Sequence, residues 1–463
     1  MSGERQVAAA DWPAAIAAAV ADGWRFADLH DAPGDRLRAL LLRGAEQRLL
    51  CCAGAGRRVG SLIERLPAAI WDEREAHERG GWRFAGHEPL RPLLGHDAPA
   101  WARDEGVDLH QVAVGPIHAG VIESGHFRFH CVGERILELE LRLFYKHRGL
   151  EREAVGRPLA SAIVYAQRAC GADAVANQVA YAQACEAALG LAPPPALRRA
   201  RTLLLELERL YNHLNDISAV CAGVGFAPGT MLFAALKERA QRLCAELTGH
   251  RFLFGTVAVG ASRLAIGAAA ARAALAELGE LRRAIDAGWH ELRAAGSLQD
   301  RLVGLAVLTR ADALALGAVG PAARASGVDE DVRGASPLLD YAGFVAASPG
   351  EPSGDVAARV RMRAAELGPC LDVLERLLDA PPAPAQAERE REPAAVGAGV
   401  VESPRGRSVC VVERAGERLA RLRLRSGSYA NWPALTRCVR GILLPDFPLV
   451  NKSFELCYAC VDR

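Results

Sequence analysis

RRARTLLLELERLYNHLND, residues 198–216, decides how most of this chain folds. Leu203, Leu207, Leu210 and Leu214 recur at alternating spacings of four and three residues, which puts them on one face of an α-helix. Glu206 and His213 fall on the inner side of the same helix, so they are expected to be buried and hydrogen-bonded there. Helical periodicity of this kind dominates from about residue 155 to 380.

Working outward, the pattern changes on both sides. Upstream, VAVGPIHAG, HFRFHCVGE and ILELELRLFY (112–145) read as short strands punctuated by Gly115-Pro116 and Val132-Gly133. Before them, the first 95 residues combine an amphipathic start, strand-like RLRALLLRG and RLLCCAG, a helix-like SLIERL (61–66) and the polar WDEREAHERGGWRF. RPLLGHDAPAWARDEG (91–106) reads as a linker. Downstream, DAPPAPAQAEREREPAA (379–395) is a loop, followed by a strand pair in VCVVERAGERLARLRLRSG (409–427) and a short helical tail. The expected fold class is α+β: a small N-terminal α+β module over 1–100, then a mainly α-helical domain over 108–463 with short peripheral β-strands.

Composition narrows the function. The 463 residues are 51% hydrophobic with a formal net charge of +1, which gives no electrostatic footprint for nucleic acid. The twelve cysteines lack the dense, even spacing of a secreted disulfide scaffold, so a reducing compartment is expected. The Ala-rich start is broken by Asp11 and Trp12 and has no cleavage box, which argues for a surface helix and against a signal peptide. FLFGTVAVGASRLAIGAAAA (252–271) carries Arg263 and several glycines and is not expected to span a bilayer.

Two thiols close the sequence in ELCYACVDR (455–463): Cys457 and Cys460. Alone, such a CxxC fits a redox pair, half of a metal site or two unrelated core thiols. A second thiol element, RACGADAVAN (168–177), places Cys170 at the head of a helix, where free backbone N–H groups favour a thiolate. Together they suggest one site closed from both ends of a domain. Cys51, Cys52, Cys131, Cys185, Cys221, Cys244, Cys370, Cys410 and Cys438 stand without ferredoxin spacing and read as small packing residues, so no iron-sulfur cluster is expected on this chain. GAGRRVG and GAGVVES lack the strand, helix and downstream acid of a Rossmann site, so no NAD motif is found.

At family level, VGPIHAGVIESGHFRFHCVGERILELELRLFYKHRGLE (114–151), the 198–216 helix and its continuation, LTGHRF, VESPRGRS and PDFPLVNKSFELCYACVDR resemble the large subunit of membrane-bound, group 4 [NiFe] hydrogenases of the formate hydrogenlyase type. These are related to the 49 kDa subunit of respiratory complex I. IWDEREAHERGGWRFAGHEPLRPLL (70–94) is similar to the end of the 30 kDa complex I subunit, which such hydrogenase subunits carry fused in front.

The resemblance implies a site. In family members with metal, two CxxC pairs hold nickel and iron, soft ligands suiting those ions. Cys457 and Cys460 match the C-terminal pair as terminal and bridging ligand, and Cys170 matches the first ligand of the other pair. Asp173 stands where the family pattern has the fourth cysteine, and Asn177 where it has a histidine. Glu123, in IESGHFRF, resembles the glutamate that relays protons, and Arg405 matches the arginine over the metal. His118 and His126 lie in the loop that approaches quinone in complex I.

The resemblance further implies a small iron-sulfur hydrogenase subunit, a ferredoxin-like subunit and integral membrane ion-pump-like subunits as partners, with the chain peripheral on the inner face of the cell membrane. Family precursors are cleaved shortly after the last ligand; an end at Arg463 is expected either from such processing or from a gene that needs none. Two readings stay open. In one, a nickel–iron centre with three of four thiolates activates hydrogen. In the other, a metal-free subunit binds quinone or couples redox change to motion, as in NADH:quinone oxidoreductases.

Overall fold

A computed structural model describes residues 4–54, 56–95, 108–118 and 123–463. Most of the 91–106 linker tract therefore lies outside the described residues.

The N-terminal unit is built on a sheet. Helix α1 (Trp12–Ala21) precedes strands β1 (Arg25–Ala32), β2 (Arg36–Arg43) and β3 (Glu46–Ala53), an antiparallel meander to which Arg5–Gln6 adds a parallel edge along β3. Alternation of side chains, with a bulge between Phe26 and Asp28, sends Phe26, Leu29, Leu37 and Leu41 to one face, where they bury against Trp12, Ile16 and Trp82. Helix α2 (Ile70–Gly80) follows and ends in a left-handed Gly81. SLIERL is not a helix; it forms a turn, tied down where the Glu73 carboxylate accepts from the Leu62 N–H and the Ser61 hydroxyl.

A second sheet of three antiparallel strands, β4 (Leu109–Val114), β5 (His126–Val132) and β6 (Arg135–Arg142), covers the helical part. Helix α3 (Ala174–Leu189) is buried on almost every side, and the 198–216 stretch lies in the long helix α4 (Pro195–Gly223). It packs against α5 (Ala227–Thr248) and α7 (Val356–Asp379), and α6 (Ala268–Ala294) packs on those two. Leu203, Leu207, Leu210 and Leu214 are fully buried between them. Among the described residues no helix is long and apolar enough to cross a membrane.

The C-terminal strands differ from the sequence expectation in number and place. They are three, β7 (Val396–Ser403), β8 (Gly406–Ala415) and β9 (Arg418–Arg425), and they are central, not peripheral. One face meets the N-terminal sheet, where Val396, Ala398, Val409 and Val411 pack on Ala27, Leu40, Leu42 and Leu49. The other face receives α3. A Cβ on Gly397 or Gly399 would overlap the carbonyl oxygens of Ala184 or Ala180, so these glycines let helix and strand backbones touch. That close approach explains the glycines of GAGVVES and hid β7 from periodicity. The tail adds α8 (Gly427–Cys438), α9 (Phe447–Phe454) and α10 (Tyr458–Asp462).

Candidate functional site

Three segments converge behind α10. Cys457 caps that helix and Cys460 lies in it; the Cys457 N–H donates to the Ser428 hydroxyl at 3.0 Å. Cys170 sits in the turn before α3. Its Cα is 5.3 Å from that of Cys460, and the two sulfurs are joined as a disulfide. Cys457 completes the group, all three sulfurs lying within 4.8 Å of one another. The remaining cysteines are free and buried, as their isolated spacing suggests.

Asp173 and Asn177 stand around these sulfurs. Asp173, fully buried, donates its N–H to Cys170 Sγ at 3.3 Å, and its Oδ2 is 3.4 Å from Cys460 Sγ. Burial raises its carboxyl pKa although Arg405 and the Ser403 hydroxyl pull it down. The Asn177 amide, one helical turn further along α3, reaches Cys460 Sγ at 3.9 Å and Cys170 Sγ at 4.0 Å. Burial, with Asp173 beside it, pushes the Cys457 thiol up to about 12.

Arg405 is delivered by the tight β7–β8 turn. Gly406 at φ +117° takes a conformation that side chains avoid, and its Cα packs against the backbone of Gly320. The guanidinium is then fixed on three sides. Nε donates to the Glu455 carbonyl at 2.9 Å, Nη1 to Asn212 Oδ1 at 2.8 Å and Nη2 to Asp216 Oδ1 at 3.0 Å. Burial disfavours the charge, but Asp216, Asp173 and Glu455 outweigh it and raise its pKa, so the pocket keeps a fixed cation. Asp216 is held in turn by Arg363 Nε at 2.9 Å.

Glu123 is half-buried just ahead of β5, and its charge is felt at Cys457, Tyr458 and Asp462. His118 Nε2 is 2.8 Å from the Gly125 carbonyl, and its ring meets Phe127 edge-on. Burial, and then the charges of Arg128 and Arg142, lower the pKa of His126. His213 and Glu206 sit in the core as expected, His213 Nε2 2.9 Å from Glu366 and Glu206 bound by Arg209 and Tyr341. Sequence reasoning missed Asn212 and Asp216. Their signal was a pair of polar residues four apart on a leucine-rich helix.

Comparison with known proteins places this geometry. The family described as "Respiratory-chain NADH dehydrogenase, 49 Kd subunit" matches residues 224–395 and 386–463. Hydrogenase-4 component G of Escherichia coli is 31% identical over 461 residues, covering 92% of this chain and 80% of the relative. The chain belongs to the family of complex I 49 kDa subunits and membrane-bound hydrogenase large subunits. Formate hydrogenlyase subunit 5 of the same organism is 31% identical, covering 87% of this chain and 76% of the relative. An NADH-quinone oxidoreductase subunit of Salinispora tropica is 30% identical, covering 76% of this chain and 92% of the relative. Among solved structures, a chain of the membrane-bound sulfane sulfur reductase, an archaeal respiratory membrane complex, superposes with a TM-score of 0.71 at 27% identity. That match covers 77% of this chain and 99% of the other.

As a family member, the chain has a donor set that departs from two CxxC pairs. Three sulfurs and one carboxylate surround the pocket, and a carboxylate is a hard oxygen donor where a bridging thiolate would be soft. The set suits a thiophilic ion on the three sulfurs. It does not supply the four-thiolate frame of a nickel–iron pair, so no chemical step is routed through that pair.

Proposed function

We propose that this chain is the large subunit of a membrane-associated redox complex of the hydrogenase and complex I type, with the pocket behind α10 as its functional centre. The convergence of Cys170, Cys457 and Cys460 from two ends of the domain carries this reading, because packing alone has no need to bring three thiols together. In this reading a reductant, the complex's own electron supply or a cellular thiol, first opens the Cys170–Cys460 disulfide by delivering two electrons, and the three resulting thiols then hold a metal ion with Asp173 in the fourth position. Arg405 supplies a fixed positive charge over the pocket, and Glu123 passes protons between it and the outside. Neutral Cys457 has to lose its proton before binding metal, and Arg405 stabilises the thiolate that results.

The N-terminal unit corresponds in this proposal to a shortened 30 kDa complex I subunit. A small iron-sulfur subunit and a ferredoxin-like protein deliver electrons to the pocket, and integral membrane subunits hold the complex to the inner face of the cell membrane. Likeness to a membrane-bound hydrogenase subunit and to a chain of a membrane-bound respiratory complex supports that assignment.

A second reading draws support from Asp173 and from the quinone oxidoreductase relatives. There the pocket holds no metal, and the His118 and His126 segment meets a quinone or the subunit only couples its neighbours. One experiment separates the two: nickel and iron content of the anaerobically purified complex, with infrared spectra of metal-bound carbon monoxide and cyanide. Near-stoichiometric nickel with those bands establishes an unusual hydrogenase. Absence of both, with quinone reduction by the complex, establishes the second reading.

A further inference from the structure

Helix α2 of the N-terminal unit buries Asp72, Glu73 and Glu75, which is costly unless each carboxylate finds a partner. Asp72 meets Arg423 and Arg425 from β9, each at 3.0 Å, and Glu73 serves the local turn. Glu75, 2% exposed, reaches further. Its two oxygens accept from Arg463 Nη2 at 2.9 and 2.8 Å, in addition to Arg423 at 2.7 Å, Arg79 at 3.2 Å and the Tyr429 hydroxyl at 3.0 Å.

Arg463 lies three residues beyond Cys460. Its Nη1 also donates to Glu151 at 3.1 Å, and its carbonyl oxygen accepts from the N–H groups of Arg148 and Gly149 at 2.9 and 3.1 Å. One residue earlier, Asp462 receives the N–H groups of Phe144 and Lys146. Helix α10 is only one turn long, so its own backbone bonds cannot fix where it sits. Tertiary contacts do that: Ser428 holds its near end, and at its far end a principal side-chain contact comes from a different structural unit.

We infer that Glu75 is a positioning residue for the three-thiol pocket: by gripping Arg463, the N-terminal unit sets where α10 holds Cys457 and Cys460 relative to Cys170. Glu75 touches none of the sulfurs; it acts through Arg463 and the helix. Charge-assisted pairing of this kind holds the guanidinium firmly, since Nη2 is shared between both Glu75 oxygens while Nη1 is tied to Glu151. The inference rests on the reading of the pocket as the functional centre, yet it concerns geometry that is measurable without turnover.

The test uses the full chain in glutathione redox buffers, with the fraction of Cys170–Cys460 disulfide read by peptide mapping under non-reducing conditions. Glu75→Gln is expected to weaken that disulfide against reduced glutathione by about tenfold, and Glu75→Asp, which keeps the charge but withdraws it by one methylene, by a smaller factor. Glu413→Gln cuts the Arg38 and Arg36 pairs at the same sheet-to-sheet interface, away from α10, and is expected to stay within about twofold of wild type. The double variant Glu75→Gln with Arg463→Gln restores a neutral hydrogen-bonding pair and is expected to recover part of the loss.

Equal effects of Glu75→Gln and Glu413→Gln would reduce the role of Glu75 to general support of the interface and overturn the inference. So would an unchanged disulfide in Glu75→Gln. Should Glu75→Gln fail to fold, Glu75→Asp carries the same comparison. Absence of hydrogen or quinone chemistry in the complex overturns the functional reading and leaves these thiol equilibria as they are.

Discussion

Cys170 and Cys460 are 290 positions apart in sequence, yet their Cα atoms lie 5.3 Å from each other. Nothing local brings them together. The approach is made by α3 resting on the β7–β8–β9 sheet while the tail folds back over the same sheet through α8 and α10. With Cys457 in the group, the pocket is a feature of the whole domain.

Restoring a fourth sulfur is therefore informative. Asp173→Cys places a soft donor where Oδ2 now faces Cys460 Sγ, and it is expected to raise retention of nickel or cobalt by at least about tenfold. Metal analysis after dialysis, with the thiolate charge-transfer bands of the cobalt form, checks this. Unchanged retention would show that the carboxylate is not at the ligand position.

Arg405→Ala leaves Asp216 buried with Arg363 as its remaining guanidinium partner and removes the link from the β7–β8 turn to α4 and Glu455. Breaking a buried pair of this type costs about 3 kcal/mol or more, so thermal melting is expected to drop by several degrees. Arg405→Lys keeps the charge but cannot reach three acceptors in different directions. It is expected to lower redox turnover with artificial dyes by about a hundredfold while recovering part of the melting temperature.

Stability should depend on pH in opposite senses at two sites. Burial, then Asp216, holds the Glu455 carboxyl up at about 7 against an ordinary 4.5, despite the pull of Arg405. The folded protein binds more protons than the unfolded chain in that window, so this group's contribution is lost as pH rises from about 4.5 through about 7. Glu151 behaves the other way: burial would raise it, but Arg463, Arg79 and Arg423 hold it at about 2. Its contribution is present above about 4.5 and is lost as pH falls toward about 2. Glu455→Gln is expected to flatten the melting profile between about pH 5 and about pH 7 by about 2 to 4 °C, and a profile parallel to wild type would refute the assignment.

Gly399→Val tests the central position of β7. A side chain there must displace the Ala180 carbonyl of α3, which neither backbone can yield cheaply. A loss of about 3 kcal/mol or failure to fold is expected, read by circular dichroism melts and soluble yield. A neutral result would mean that α3 does not ride on this sheet.

The sequence by itself was enough for the helical bundle, the early strands and the identity of the pocket thiols. Leucine spacing in 198–216 states a helix and its buried face, and RACGADAVAN with ELCYACVDR names the sulfurs. It also located His213 and Glu206 inside the core, because polar residues on an apolar face have to find partners there. Tertiary structure decided the rest. The turn at SLIERL follows from Glu73, eleven positions on from Leu62, capturing a backbone N–H. Strand β7 is invisible to alternation because its glycines answer to the helix packed on it, and the C-terminal sheet is central because the N-terminal sheet covers its other face. The grip of Glu75 on Arg463 joins residues 388 positions apart. Periodicity reports only the face a residue presents to its own element. Which element covers that face is a long-range choice, fixed when the chain closes and every buried charge finds its partner.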